Sequence, residues 1–227
     1  MLARIQQLMD GLRQVSSDIA HDLRTPLGRL RQQLEEARER ATTTADYRVA
    51  TEAAIEEADA LLETFAALLR IAQVEAGAQR SAFAAFDLSG LVKSLGETYE
   101  PVAEDSGHRL DVAADDGISF TGDRQLVAQL LTNLLENALR HTPVGTKISL
   151  RLQKQDGGFR LAVADDGPGI PATEHDKVFD RFYRLDRSRS TAGSGLGLAM
   201  VRAIAGLHGL SIRLEDANPG LRVILST

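Results

Sequence analysis

Asp18-Ile19-Ala20-His21-Asp22-Leu23-Arg24-Thr25-Pro26-Leu27 decides how the first third of this chain folds. It reads either as the middle of one long helix or as the approach to a shorter one. In the short reading Thr25 is an N-cap and Pro26 the first helical residue, which leaves His21 in a loop. The long reading rests on the apolar positions Ile5, Leu8, Leu12, Val15, Ile19, Leu23, Leu27, Leu30, Leu34 and Ala37, which run through Pro26 without a break. Their steps of three and four describe a coiled-coil seam. The consecutive fours across residues 15–27 form a stutter that locally unwinds it. The seam favours a continuous helix bent at Pro26, although an interior proline costs about 3 kcal/mol. His21 and Thr25, four apart, then share one face, and Asp22 adjoins the imidazole. The bend would loosen the backbone beside His21.

Outward from this stretch, Ala41-Thr42-Thr43-Thr44-Ala45 interrupts the pattern and reads as a connection. A second helix carries Ala54, Ala58, Leu61, Phe65, Leu68 and Ala72 on one stripe and stops near Gly77, a suitable C-cap residue. Two helices cannot by themselves enclose an apolar seam. A second copy of the hairpin would complete a four-helix bundle, so a homodimer is expected. The alternative is that the seam packs on the chain's own second half.

After the polar stretch 76–81 the texture changes. Residues 83–86, 108–112, 118–121, 147–153, 159–164, 210–215 and 221–226 predict strands, with Asp156-Gly157-Gly158 turning one hairpin. Asp87 and Asp123 are placed to cap helices running to about Ser106 and to His141, the latter stopped by Pro143. A further helix is predicted from Leu196 to Leu207. The mixture implies an α+β chain whose second half is one mostly antiparallel sheet under a helical layer.

Composition narrows the partners. A net charge of −6 argues against a nucleic-acid surface, and the absence of cysteine excludes disulfides and thiolate metal sites. No apolar run reaches the roughly 18 residues a membrane span requires, and no basic-then-apolar signal opens the chain. A soluble protein is expected, or the soluble part of something longer.

Three stretches carry chemistry. Asn133, Asn137, Arg140 and His141 line one helix face, opposite the apolar Leu131, Leu134, Leu135 and Ala138. Asparagine is a poor helix-interior residue, so two on one stripe need a reason. A carboxamide oxygen can ligate Mg²⁺, and a nearby cation can meet phosphate; a solvated polar face is the alternative. Asp165-Asp166-Gly167-Pro168-Gly169-Ile170 ends a predicted strand, where a carboxylate can accept from an exocyclic amine and glycines let backbone approach a ring. Taken alone it could be an ordinary turn, or the first motif of an S-adenosylmethionine methyltransferase. Gly193-Ser194-Gly195-Leu196-Gly197-Leu198 leads into a helix whose N-terminus can receive phosphate. Between the glycine stretches, residues 184–190 are polar and cationic, as a lid over a polyphosphate would be. His108, His175 and His208 match no catalytic pattern and are expected to be surface or structural.

Together these pieces resemble the sensor histidine kinases of two-component systems. His21-Asp22-Leu23-Arg24-Thr25-Pro26-Leu27 is similar to the family's H box, and residues 133–141 to its N box. Residues 165–170 are similar to the G1 box, 179–183 to the F box and 193–198 to the G2 box. All five occur in the family's order. Residues 1–13 resemble the end of a HAMP signalling domain, which would place sensor and inner-membrane segments outside the chain.

The resemblance implies a dimerisation and phosphotransfer bundle over 14–77, a linker over 78–85, and an α/β-sandwich ATP-binding domain of the GHKL (Bergerat) type over 86–227. His21 would be the phosphoacceptor, Asp22 its proton acceptor, and Thr25 would place the water that dephosphorylates a response regulator. Asn137 would ligate Mg²⁺, with Asn133, Arg140 and His141 on the triphosphate and ribose side. Asp165 would hold adenine; Gly167, Gly169, Ile170, Gly193, Gly195, Gly197 and Leu198 would shape the pocket and lid. Many members carry Lys-Tyr where this chain has Arg140-His141, so the phosphate cation is kept and the ribose contact altered. ATP and Mg²⁺ are the implied cofactors, a response regulator the implied partner, and the cytoplasm the implied location. A related ATPase clamp would place a glutamate where Asn133 stands, and an amide cannot be that base.

Overall fold

The computed structural model describes residues 27, 28, 30–32, 34–39, 42–77, 80, 82–185 and 194–227. The chain divides into two compact units, Met1–Ala76 and Gly77–Thr227. His21, Asp22, Thr25 and the bend expected at Pro26 lie outside the described residues, as does Gly193.

In the first unit every described position from 27 to 39 is helical (α1), and α2 spans Thr44–Glu75. The connection is tighter than the predicted 41–45 break because Thr43 and Asp46 form a reciprocal cap. The Thr43 hydroxyl accepts the Asp46 N–H at 3.1 Å, and the Asp46 carboxylate accepts the Thr43 N–H at 2.9 Å. Of the predicted α2 stripe, Ala54 and Leu68 are buried, Ala58, Leu61 and Ala72 partly so, and Phe65 exposed. A second row escaped the sequence reading. Ile55, Leu62 and Leu69, each seven apart, are 56%, 66% and 39% exposed, and Leu27 and Leu34 on α1 are 53% and 48% exposed. Heptad-spaced aliphatic side chains left in water are what a coiled-coil neighbour covers.

The second unit orders its elements β1 (Ala84–Asp87), α3 (Leu88–Asp105), β2 (Arg109–Ala114), β3 (Ser119–Gly122), α4 (Arg124–His141), β4 (Lys147–Gln155), β5 (Gly158–Asp165), α5 (Gly197–Leu207), β6 (Ser211–Asp216) and β7 (Leu221–Ser226). Two 3-10 turns, Ala172–Glu174 and Lys177–Phe179, follow β5. The single sheet expected from sequence is in fact two. Five strands run β2-β4-β5-β7-β6, and β1 pairs with β3 alone. Among the described strands only the β2–β4 pairing is parallel. The reason lies in the turn after β2. There the Ser89 hydroxyl donates to the Asp115 carbonyl at 2.6 Å and accepts the Ile118 N–H at 3.0 Å, which fastens the turn to the start of α3 and sends β3 to β1.

Alternation along β4 sets the layers. Ile148, Leu150 and Leu152 are buried, while Lys147 is exposed and Ser149 and Arg151 are partly so. Register carries this face across the sheet, opposing Leu150 to Val163, and Val163 to Val223. The helices cover it with Leu130, Leu131, Leu134 and Leu135 of α4 and Val201 and Ile204 of α5. Each such side chain contributes about 1.5–3 kcal/mol of gross burial energy.

Two histidines prove structural. His175 Nε2 lies 3.0 Å from the Ile170 carbonyl. His208 ties three elements together: its Nε2 accepts the Asp123 N–H at 3.0 Å, and its Nδ1–H donates to the Ile204 carbonyl at 2.8 Å. The ring stacks on Phe83 at 4.7 Å and tilts against Phe120. These partners require the neutral imidazole, because a proton on Nε2 would face a donor. Burial lowers its affinity for a proton, opposed by the Ile204 bond and by Asp123. With the folded pKa depressed below about 6.5, the unfolded chain gains the proton first. The stabilisation is therefore complete above pH 6.5 and declines as the pH falls below it. Urea melts between pH 7.5 and 5 should show this decline, and His208→Gln should reduce its slope. An unchanged slope in the variant would remove His208 as its source.

Candidate functional site

The site is built where the C-terminal half of α4, the turn after β5 and the start of α5 meet. Asp123 begins α4 by accepting the N–H groups of Gln125 and Leu126. Seven buried apolar residues then fix which face is left for the amides. Asn133 is held on both sides: its Oδ1 accepts from Gln129 Nε2 at 3.2 Å, and its Nδ2 donates to the Gly197 carbonyl at 3.3 Å. A Cβ on Gly197 would lie 3.4 Å from Asn137 Oδ1 and 3.5 Å from its Nδ2, so that amide packs on the first residue of α5. Asn137 makes no hydrogen bond among the described residues. Among the described residues no side chain caps α5, whose N-cap is Leu196. The Asn137 amide thus packs on an uncapped helix start, where phosphate oxygens are favoured.

Asp165 ends β5. Its Oδ1 accepts the N–H groups of Gly167 at 3.0 Å and Leu221 at 3.4 Å, and its Oδ2 has no hydrogen bond among the described residues. Burial raises its pKa; the two N–H bonds pull the other way, and neighbouring Asp166 adds to the rise. Asp166 instead anchors the turn, accepting the Lys147 N–H at 2.7 Å. Sequence reasoning missed two walls of this turn. Gly220, at φ +105°, runs so close that a Cβ there would sit 1.8 Å from the Asp165 carbonyl, and Gly169, at φ +67°, lies under it. The Asn218-Pro219-Gly220 turn signal was the available clue. Thr142, just past α4, touches Gly167: a Cβ on that glycine would be 2.7 Å from its methyl.

The lid expected over residues 184–190 lies outside the described residues from 186 on, but the segments that flank it meet. The Phe182 N–H donates to the Gly195 carbonyl at 3.0 Å, with Phe182 at φ 62° and Gly195 at φ +70°. Tyr183 donates to Glu174, which also pairs with Lys177 at 3.4 Å. Burial, then Arg140 and Arg184, lower the pKa of His141 and favour its neutral form, so Arg184 acts within electrostatic reach of the α4 end. Arg140 is exposed, Ile170 and Leu198 partly buried. Asn133 and Asn137 of α4 thus meet Gly197, and Thr142 just past α4 meets Gly167. The methyltransferase alternative fails, because β5 is antiparallel to both neighbours and its glycine turn leads into 3-10 turns rather than a helix.

The described residues contain no group of three His, Asp or Glu side chains able to hold a metal alone. A divalent cation here would take Asn137 as a protein ligand and draw further oxygens from a bound phosphate chain, as Mg²⁺ commonly does. The unbonded Asn137 amide fits that use.

Residues 122–227 match the family of histidine kinase-, DNA gyrase B- and HSP90-like ATPases, and residues 11–77 the His Kinase A (phospho-acceptor) domain. The sensor protein IrlS of Burkholderia pseudomallei is 34% identical over 224 residues, covering 98% of this chain and 48% of the relative. The chain thus spans about half the length of that curated relative. Among solved structures, the mycobacterial sensor histidine kinase MprB aligns at TM-score 0.56 and 29% identity, over 63% of this chain and 95% of that one. The Acinetobacter baumannii kinase AdeS shares the fold at TM-score 0.70 and 22% identity, over 91% of this chain and 96% of that one.

Proposed function

We propose, since the chain belongs to the sensor histidine kinases of two-component systems, that it transfers the γ-phosphoryl group of ATP to His21 and then to an aspartate of a response regulator. The observation that carries the nucleotide half is the convergence of Asn133 and Asn137 on Gly197, together with Asp165, whose Oδ2 is unbonded among the described residues and whose turn meets the end of the same helix through Gly167 and Thr142. The phosphoacceptor half rests on the match of residues 11–77, which includes His21.

Asp165 Oδ2 would accept from the adenine amine, while Gly167, Gly169 and Ile170 shape the ring's slot. The open start of α5, with Gly193, Gly195, Gly197 and Leu198, would receive the phosphates, and Arg140 would add charge. Mg²⁺, when bound through Asn137, would neutralise phosphate charge. His141, kept neutral by burial and two arginines, can pack or hydrogen-bond a ribose without adding charge. A neutral imidazole nitrogen of His21 attacks the γ-phosphorus in line; the bond to the ADP oxygen breaks, and Asp22 accepts the ring proton. Thr25 would orient water for the reverse task, dephosphorylating the regulator.

The heptad rows left in water on α1 and α2 support a homodimeric four-helix bundle. Residues 14–77 would form that bundle, residues 78–85 a linker to the catalytic domain, and residues 1–13 a HAMP end leading toward an inner membrane. None of the described helices is long and apolar enough to cross a membrane. The kinase itself would work from the cytoplasm.

Incubation with γ-labelled ATP·Mg²⁺ tests this reading. Label stable to alkali and released by acid is expected, as a phosphoramidate requires. Acid-stable label, or none despite nucleotide binding, would overturn it.

A further inference from the structure

Phe182 holds a left-handed backbone conformation, at φ 62°, that a phenylalanine rarely adopts. Such a conformation persists where the surroundings over-determine it. On one side the Phe182 N–H donates to the Gly195 carbonyl at 3.0 Å. Gly195, at φ +70°, lies flat against the same backbone: a Cβ on it would sit 2.9 Å from the Phe182 Cα and 3.1 Å from the Tyr183 carbonyl oxygen. On the other side Tyr183 is tied down twice. Its N–H donates to the Asp180 carbonyl at 3.3 Å, and its hydroxyl donates to the Glu174 carboxylate.

Glu174 is placed to serve as that anchor because its own turn is fastened. The adjoining His175 Nε2 lies 3.0 Å from the Ile170 carbonyl, and the Phe179 ring of the next turn lies 5.9 Å from the Arg202 guanidinium of α5. The second Glu174 oxygen accepts from Lys177 at 3.4 Å. The Tyr183 hydrogen bond holds the Glu174 carboxyl below its ordinary pKa, against desolvation and with help from Lys177. As an anion it accepts and cannot donate, which fixes the direction of the bond. Beyond Gly195 the path is short. Leu196 is buried and its carbonyl accepts the Met200 N–H at 2.9 Å, and Gly197 carries the contacts with Asn133 and Asn137. A line of contacts therefore runs from Glu174 through Tyr183, Phe182 and Gly195 to the start of α5.

We propose that Glu174 is a positioning residue for the phosphate subsite: by accepting from Tyr183 it holds the Phe182 backbone against Gly195 and so sets the helix start that receives the phosphate chain. This rests on the nucleotide reading above. Glu174 itself touches no nucleotide in this arrangement. Its effect reaches the phosphates through Tyr183 and Gly195, and the adenine side, built on Asp165 and Gly167, does not depend on it.

The test is equilibrium binding of ATP and of adenosine to the full chain in the presence of Mg²⁺. Wild type, Glu174→Leu, Glu174→Gln, Tyr183→Phe, the Leu/Phe double variant and Asp165→Asn are compared, with thermal melts confirming folding. Glu174→Leu and Tyr183→Phe should each weaken ATP binding roughly 3- to 10-fold, the worth of about one hydrogen bond, and leave adenosine binding as in wild type. The double variant should be no weaker than either single one, since both remove the same contact. Glutamine keeps an oxygen that accepts from the Tyr183 hydroxyl, so Glu174→Gln should bind ATP more tightly than Glu174→Leu. Equal losses for ATP and adenosine, additive losses in the double variant, or a Gln variant no better than Leu would overturn the proposal. So would wild-type ATP affinity in Tyr183→Phe, which removes one hydroxyl and decides alone if Leu does not fold. Should Asp165→Asn bind ATP as wild type does, the nucleotide reading fails instead.

Discussion

A His21→Gln chain should take up no label from γ-labelled ATP and still bind ATP within a few-fold of wild type. Glutamine keeps polarity and approximate length but has no ring-nitrogen lone pair to attack phosphorus. The nucleotide side chains named here all belong to the unit Gly77–Thr227, which folds around its own core. Removing a nucleophile from the other unit leaves those contacts intact. Residual label at wild-type yield would place the acceptor elsewhere; loss of binding in the same variant would show that His21 supports the fold or the site rather than the chemistry.

Asp165→Asn should give the converse result, weak binding and, at limiting ATP, proportionately weak labelling. Asparagine can keep Oδ1 as acceptor for the Gly167 and Leu221 N–H groups. That puts an NH₂ where Oδ2 now stands, so a donor meets the adenine amine. A hydrogen bond to a charged acceptor is worth about 1.5–3 kcal/mol, or roughly 10- to 150-fold in affinity. Discrimination against GTP should fall as well, since guanine presents a carbonyl at that edge and the new amide can donate to it. Titration calorimetry with both nucleotides checks this. Unchanged ATP affinity would mean that Asp165 serves only its two backbone partners.

The elements of the second unit were legible because their signals are local. Asp87 and Asp123 mark helix starts through side chains that reach N–H groups two or three residues on. The β4 alternation and the Asp156-Gly157-Gly158 turn predict a hairpin whose pairing runs from Ile148↔Asp165 to Gln155↔Gly158. The spacing of Asn133, Asn137, Arg140 and His141 was likewise enough to place them along one α4 face, since helix period alone decides that.

What the tertiary structure decided are the meetings between distant segments. Nothing local says that β3 pairs with β1 while β2 pairs with β4; Ser89, fastened to the turn at residues 115–118, makes that choice. Gly220 approaches the Asp165 backbone and Thr142 packs on Gly167 across long sequence separations, so neither could be read as part of the site. The histidines show the division most clearly. The sequence alone supplied His108, His175 and His208 as residues without a motif. Which ring nitrogen meets a donor and which meets only carbonyls depends on chain segments brought together by folding, because protonation answers to neighbours in space rather than neighbours in sequence.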